Sequence, residues 1–598
     1  MKNFHFRGSM ILVGITVGLF VFSVSAVKAQ DTCLRNDHPS GQTPENITCW
    51  IRKIRRGEKD LSHAYLRGLD LRGLNFGNSI AGDLSYADLR ESDLSNSVLS
   101  DTLFINTRLD NAKLVNAKLN GSVFITTNMT SADLSGATLD CSVVIISDFK
   151  DANLSLAKFS DAEILHATRF NGANLRAAVI ENTKFGPNYR NWGKNVKCSN
   201  NRTRDPKVVR AIADIFAICG SAVGCVSGPD LIGADLSDAY LTDSTFEQVN
   251  LQNATLRITQ LIRTSFSKDV HLAGAKLSGA NLSGASMRGV NFRDVESMPS
   301  YFPGADLRGA DFSVNIFYDA NFDGAVLDKA NFWGASFRNT SFINASMHQT
   351  NLTLAKGFGS SKLDGADLTH ADLVACDCRG INLRGADLMG VNLRNADFSG
   401  AFLSRALFRG IDLAGVKFIG ANLSNAWLRG SRFLNTDFSK ASLNYVDLSN
   451  RHLGGATFTN AILYGANLSN VEWSGALLNG VNLSSATLAG INLRASIIVG
   501  STFEYAGLEN ANLSYADISD SNFKGAKLFC ADLTNSRLGT SNFTNANFTG
   551  ANLTNSQYKE TIRKGAYASA NTLGVSFDEW KYRGGMLVSH QTRCPGPQ

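Results

Sequence analysis

From Leu363 to Tyr558 the register never slips: of forty positions five apart, nearly all hold Leu, Phe, Ile or another bulky apolar residue. Two residues before each stands a small residue, most often Ala, and directly before each stands Asp, Asn or another small polar residue. The stretch Gly385-Ala386-Asp387-Leu388-Met389-Gly390-Val391-Asn392-Leu393-Arg394-Asn395-Ala396-Asp397-Phe398 shows the pattern. An α-helix cannot bury a period of five, because 3.6 residues per turn would spread it around the cylinder. A simple strand, with period two, fails as well. A chain that turns a corner every five residues fits. The Ala and the Leu or Phe, two apart, then point inward, and the Asp or Asn between them points out. Short fixed periods of this kind predict a solenoid, in which each unit buries its apolar face only against its neighbours.

The same period runs in blocks through the rest of the chain. Leu61–Phe76 is a short start, Leu84–Ile164 keeps register, and a one-residue slip precedes Phe170–Phe185. Leu231–Phe266 and, after another slip, Leu272–Phe292 form the middle, followed by Leu307–Leu352. Single-residue slips predict bulges at a corner, which restore the inward phase on the next face. Before the first block, residues 43–57 predict a helix with Thr43 as N-cap, Pro44 at its first position and Gly57 as its stop. Ile47, Trp50, Ile51 and Ile54 would form its apolar face. Such a helix is expected to cover the open end of the core, whose strand edges would otherwise aggregate.

The organisation expected is therefore residues 30–60 as a helical cap, 61–185 as repeats, 186–230 as an insertion, 231–352 as repeats with a loop at 293–306, 363–558 as the long block, and 559–598 as a C-terminal cap or tail. The insertion predicts a helix from Asp205 to Gly220 with Val208, Val209, Ile212, Ile215 and Phe216 on one face. It also concentrates positive charge beside aromatic residues. Tyr189, Arg190, Trp192, Lys194, Arg202 and Arg204, with Tyr301 and Phe302 of the 293–306 loop, are the candidate interaction surface, because loops on a rigid scaffold carry specific contacts. Residues 353–362 read as a Gly/Ser-rich connection.

The Ala-(Asp/Asn)-Leu-x-x pattern resembles the pentapeptide-repeat family, and the resemblance covers most of residues 61–558. It implies an all-β fold, a right-handed quadrilateral parallel β-helix with four pentapeptides per coil. Ten coils, the length of the block from Leu363, would then rise roughly 48 Å at about 4.8 Å per stacked strand.

The first 29 residues read as an export leader: Lys2 and Arg7, an apolar run from Met10 to Val24 too short to favour a membrane span, then Val27-Lys28-Ala29 as the cleavage site. An uncleaved membrane anchor is the alternative. No transmembrane span is expected after cleavage, and the location expected is periplasmic or extracellular. Losing Lys2, Arg7 and Lys28 lowers the formal charge from +6 to +3, which argues for neither nucleic acid nor a membrane surface as partner. In an exported chain the ten cysteines invite disulfides. Cys33 and Cys49 flank a short polar loop and are the expected bridge. Cys198, Cys219 and Cys225 share one insertion, so at most one bridge forms among them. Cys376 and Cys378 stand at the two inward positions of one repeat and read as small core residues.

No H-E-x-x-H, G-x-S-x-G, phosphate loop or dinucleotide fingerprint occurs, so neither cofactor nor metal is expected. Asp is frequent, but almost always at the outward position, where its default work is solubility and turn hydrogen bonding. Three functions follow. The first is a non-catalytic structural or interaction scaffold of the bacterial cell envelope or exterior, with a protein or envelope polymer as partner. The second is a β-helix enzyme acting on extracellular polysaccharide, with an acid pair among the outward carboxylates. The third, implied by the resemblance, is a DNA-like topoisomerase inhibitor. That needs a strongly acidic surface, whereas residues 363–558 hold fifteen Asp or Glu against fourteen Lys or Arg. Should the chain self-associate, two-fold pairing is the commonest form.

Overall fold

The computed structural model describes residues 33–34, 43–76, 82–165, 167–186, 207, 210, 228–293, 295, 301–569, 571–575, 586–588 and 594. The segment expected to be an export leader and most of the 186–230 insertion, including Tyr189, Arg190, Trp192, Lys194, Arg202, Arg204, Cys198, Cys219 and Cys225, lie outside them. Among the described residues no helix is long and apolar enough to cross a membrane.

The chain divides into two compact units, Met1–Asn281 and Leu282–Gln598. Both are all-β parallel solenoids. Residues at the outward positions bridge in parallel to the residue one coil later, usually twenty positions on, as in Asp367↔Asp387 and Asn422↔Ser442. Four such ladders per coil make four faces. Where the sequence slips by one, the bridge spans twenty-one residues instead, as in Asp148↔Arg169 and Asn250↔His271, and the ladder continues unbroken.

One repeat shows why the chain turns. Ala396 and Phe398 are both buried, while Asp397 between them faces out. Gly400 takes a left-handed φ of 67°, and Ala401 N–H donates to the Phe398 carbonyl at 3.0 Å, closing the corner. The outward Asp397 accepts from the Ser399 N–H at 2.9 Å. The position two after each apolar residue is left-handed in repeat after repeat, and Gly and Asn recur there because their backbones enter that region most cheaply. Small residues fill the other inward position. Where these are Ser or Thr, the hydroxyl can donate to a carbonyl of the previous coil, as Thr436 does to Leu413 at 2.9 Å and Thr264 to Leu241 at 2.8 Å, which offsets the cost of burying it.

In the first unit, α1 (Pro44–Arg55) is capped by Thr43, whose Oγ1 accepts from the Asn46 N–H at 3.3 Å. The disulfide Cys33–Cys49 forms as expected, with its Cα atoms 5.6 Å apart. Buried Asn46 receives the Leu34 N–H at 2.7 Å and donates to the Leu34 carbonyl at 3.0 Å. Trp50 Nε1 donates to the same carbonyl at 3.1 Å. The helix is thus held to residues 33–34 by one covalent and three polar links. Opening the sixteen-residue loop with Cys49→Ser should lower stability by about 2–3 kcal/mol, read as an earlier loss of amide-exchange protection over α1.

One face of the first unit carries seven parallel strands in chain order: β1 (Leu103–Ile105), β2 (Val123–Ile125), β3 (Val143–Ile145), β4 (Glu163–Leu165), β5 (Lys184–Gly186), β6 (Thr245–Phe246) and β7 (Ser265–Phe266). The insertion leaves after β5 without interrupting the stack, because Phe185 pairs directly with Phe246.

The second unit contains β8 (Ile316–Tyr318), β9 (Ser336–Arg338), β10 (Tyr567–Ser569) and β11 (Met586–Val588). Its early coils are filled by phenylalanine columns. Phe302, Phe322 and Phe342 stack at 4.6 and 5.1 Å, and Phe312 and Phe332 at 4.9 Å. Identical residues twenty apart are set one strand spacing apart, about 4.8 Å, which is also the distance at which aromatic rings stack.

Three expectations need correction. Phe302 is not a surface residue: it fills an inward position and is 2% exposed, while neighbouring Tyr301 bridges Asn321 as an ordinary outward residue. Residues 353–362 contain a 3-10 turn, Phe358–Ser360, that places Phe358 inward against Phe337 at 4.8 Å, so the coil runs on through them. The coil also continues beyond Tyr558. Asn542↔Ile562 and Asn547↔Tyr567 extend the ladders, with Arg563 and Ala568 at the inward positions. Arg563 interrupts the apolar period yet is buried, its Nη1 donating to the Tyr558 carbonyl at 2.8 Å and to Thr561 Oγ1 at 3.0 Å.

Candidate interaction surfaces

The outward carboxylates are engaged in their own corners. Asp93 accepts from the Ser95 N–H at 3.0 Å, Asp133 from Ser135 at 3.0 Å and Asp387 from Met389 at 3.0 Å. Along a face, neighbouring coils are joined side chain to side chain, as where Asn331 donates to Asp311 at 3.0 Å and Asn351 to Asn331 at 2.9 Å. Where Arg follows two residues after Asp, it folds back onto it: Arg72 on Asp70, Arg90 on Asp88, Arg308 on Asp306 and Arg379 on Asp377. Burial, the largest influence on Asp88, pushes its carboxyl up, but hydrogen bonds from the Arg90 side chain and N–H, with nearby positive charge, bring it below the usual carboxylate range. Asp377 is lowered chiefly by its hydrogen bond from Arg379. Asp88 and Asp377 are thus structural anions, held ionised. Among the described residues, no group of His, Cys, Asp and Glu is arranged to hold a metal ion.

The β1–β4 face departs from the polar-out rule. Leu103, Val123 and Val143 on one side of the inward residues, and Ile105, Ile125 and Ile145 on the other, are each at most 4% exposed although they point outward. Lys207 of the insertion forms an ion pair with Asp83, and Asp83 precedes Leu103 in this ladder, bridging it directly. That part of the insertion is therefore used against the solenoid. Cys141 is also disulfide-bonded, to a residue outside the described ones. Cys530 and Cys594 form a further bridge, as do Cys376 and Cys378, so this last pair is not the pair of free core thiols the pattern suggested. No described cysteine is free.

Glu163 of β4 sits in this apolar strip. Burial pushes its carboxyl up, Lys184 pulls it partly back, and Oε2 is buried with no hydrogen-bond partner. A carboxyl raised on folding favours the folded state most below its unfolded value of 4.5, and that contribution is lost as pH rises through the folded value. Glu163→Gln should therefore raise the melting temperature at pH 7–8, and the gain should shrink to nothing as the pH falls below about 4. Melting curves of both proteins across that range check it.

The first unit also has a cleft of about 640 Å³ lined by Ile146, Ala167, Arg169, Gly228, Asp230, Gln248, Asn250, Asp269 and His271. Arg169 is tied to Asp148 at 2.8 Å and Asp230 to Asn171 at 3.1 Å, so its charges are largely committed to neighbouring coils.

Of the candidates read from the sequence, Tyr301 is 47% exposed and Phe302 is core; the other six lie outside the described residues. Sequence reasoning missed the apolar side chains at outward positions in the second unit: Phe402, Trp427, Ile462, Leu477 and Ile497, each at least 40% exposed. The signal was present as a large residue where the pattern calls for Asp or Asn.

A four-sided parallel β-solenoid with flat faces, turn-bound carboxylates and no convergent acid–base cluster among the described residues defines a class of repeat protein. A family model described as pentapeptide repeats matches in stretches running from residues 83–121 to 526–557, together more than half of the chain. The chain belongs to the pentapeptide-repeat family. It is similar to the solved pentapeptide-repeat protein Rfr23 from the cyanobacterium Cyanothece 51142, with 28% identity over 18% of this chain and 90% of that one and a TM-score of 0.16. It is similar to HetL, involved in heterocyst differentiation regulation, from Nostoc sp. strain PCC 7120, with 21% identity over 53% of this chain and 94% of that one and a TM-score of 0.15. It is similar also to QnrB1, a plasmid-mediated fluoroquinolone resistance protein, with 22% identity over 34% and 90% and a TM-score of 0.18. No curated protein matches the chain.

Proposed function

We propose that this protein is an exported, non-catalytic interaction scaffold of the bacterial envelope or exterior. The observation that carries the reading is the engagement of the outward Asp and Asn side chains in their own corners and ladders, which leaves rigid faces for display rather than carboxylates free for acid–base work. The disulfides at Cys33–Cys49 and Cys530–Cys594 support an oxidising compartment. The near balance of charge over residues 363–558 disfavours imitation of duplex DNA. The test is to incubate the purified full chain with polysaccharides isolated from the host envelope. Unchanged polymer length, together with covalent capture of a discrete protein by photo-crosslinkers placed on the solenoid faces in living cells, is the expected result. Depolymerisation, abolished by exchanging one outward Asp for Asn, would establish the enzyme instead.

A further inference from the structure

We infer that the face carrying Leu407 and Trp427 is a docking surface for a protein partner with clustered carboxylates. This deepens the scaffold reading and rests on it. Arg379 and Arg308 show what becomes of an arginine one residue past the inward apolar position when Asp stands two residues earlier: the carboxylate captures its guanidinium at 2.7 and 2.6 Å. Arg384, Arg409 and Arg429 stand at that same position, but the residue two before each is Asn382, Leu407 and Trp427. A neutral or apolar group stands where those two arginines have their carboxylate. All three arginines are exposed, and among the described residues no ion pair holds any of them, in contrast to the Asp-paired arginines elsewhere.

The aromatic residues complete the surface. Leu407 and Trp427 bridge each other on adjacent coils, so Arg409 and Arg429, two residues further along each strand, are neighbours at about one strand spacing, about 4.8 Å. Arg409 lies 5.6 Å over the Trp427 ring, and on this face Trp427 is 48% and Met389 43% exposed. The adjacent face, whose ladder runs Asn382–Phe402–Asn422, repeats the motif: Arg384 lies 5.0 Å over Phe402. In the three repeats that make this face, 386–390, 406–410 and 426–430, Arg409 and Arg429 stand against the single carboxylate of Asp387, although the block as a whole is balanced.

The chemistry selects the partner. Guanidinium forks match carboxylates in bidentate geometry. Trp, Met and Arg together are the composition enriched in protein interfaces and their energetic centres. A nucleic-acid surface would need a longer basic track, and a polyuronate would leave Met389, Leu407 and Trp427 without apolar counterparts.

The probe is a fluorescein-labelled twelve-residue peptide of Glu with interspersed Leu, titrated into the full chain at physiological salt, with polygalacturonate and duplex DNA as competitors. The peptide should bind. Arg409→Ala with Arg429→Ala, and separately Trp427→Ala, should each weaken it by about tenfold or more. Arg308→Ala, which removes an arginine already paired with Asp306, should leave it unchanged. These side chains are exposed, so the variants should melt with the wild type. Absence of peptide binding, binding unaffected by the variants, or displacement by polygalacturonate or DNA at lower concentration than unlabelled peptide would each overturn the proposal. Displacement by intact polygalacturonate would leave the scaffold reading standing, whereas its cleavage would remove that reading too.

Discussion

Replacing Phe332 by alanine should destabilise the second unit by about 3–5 kcal/mol, the range for emptying a large aromatic from a packed core. Phe332 is fully buried. Its ring stacks on Phe312 at 4.9 Å and meets Phe317, Phe322, Phe337 and Phe342 edge-on or tilted at 5.5–6.3 Å. The cavity would open in the middle of interlocking columns that belong to different faces, so collapse from one side cannot fill it. Trp333, the next residue, is 43% exposed, and Trp333→Ala should cost no more than about 0.5 kcal/mol. Because coils in a solenoid contact mainly their neighbours, the loss should be local. Amide-exchange protection should fall first over residues 312–342, and less over the distant coils around Phe503.

Gly357→Ala should be among the most damaging single methyl groups in the chain's described corners. Gly357 has φ of 83°, a conformation costing an alanine about 1–2 kcal/mol. A Cβ there would fall on the Phe337 carbonyl oxygen, well inside contact distance. Backbone cannot swing aside as a side chain can. The Phe337 N–H that donates to the Lys356 carbonyl at 2.8 Å and the inward setting of Phe358 would both be disturbed. A total of several kcal/mol is expected. Gly385→Ala is the control: its φ is 67° and nothing lies within 4 Å of the added carbon, so only the conformational cost of about 1–2 kcal/mol remains. Thermal unfolding of the two variants beside the wild type should rank them in that order.

The solenoid was legible because its code is redundant. Ala396 and Phe398 inward with Asp397 outward restate a rule that dozens of other repeats also state, and one substitution cannot hide it. The parts that escaped are those where a single residue breaks the rule for a local reason. Arg563 replaces an apolar inward residue, yet its guanidinium is held by the Tyr558 carbonyl and Thr561; a hydrophobicity pattern ends one coil too early there. Phe358 is brought inward by a 3-10 turn that adds one residue, so counting by fives passes it by. Phe302 carries the inward phase, but Pro299 and Pro303 beside it made the segment resemble a loop. The docking face was obscured differently. Arg409 and Trp427 look unremarkable singly, and only the twenty-residue coil places Leu407, Trp427, Arg409 and Arg429 together. The strip on β1–β4 was visible as Leu-Phe-Ile, Val-Phe-Ile and Val-Val-Ile, triplets with apolar residues at outward positions.

The central proposal, an exported scaffold, is tested most directly by fractionating the native host, sequencing the N-terminus of the mature protein and alkylating its thiols without reductant. The account predicts recovery outside the cytoplasm, a chain beginning near Gln30, and Cys33, Cys49, Cys530 and Cys594 unmodified by the alkylating agent. Full-length protein in the cytosol with those cysteines alkylated would contradict it.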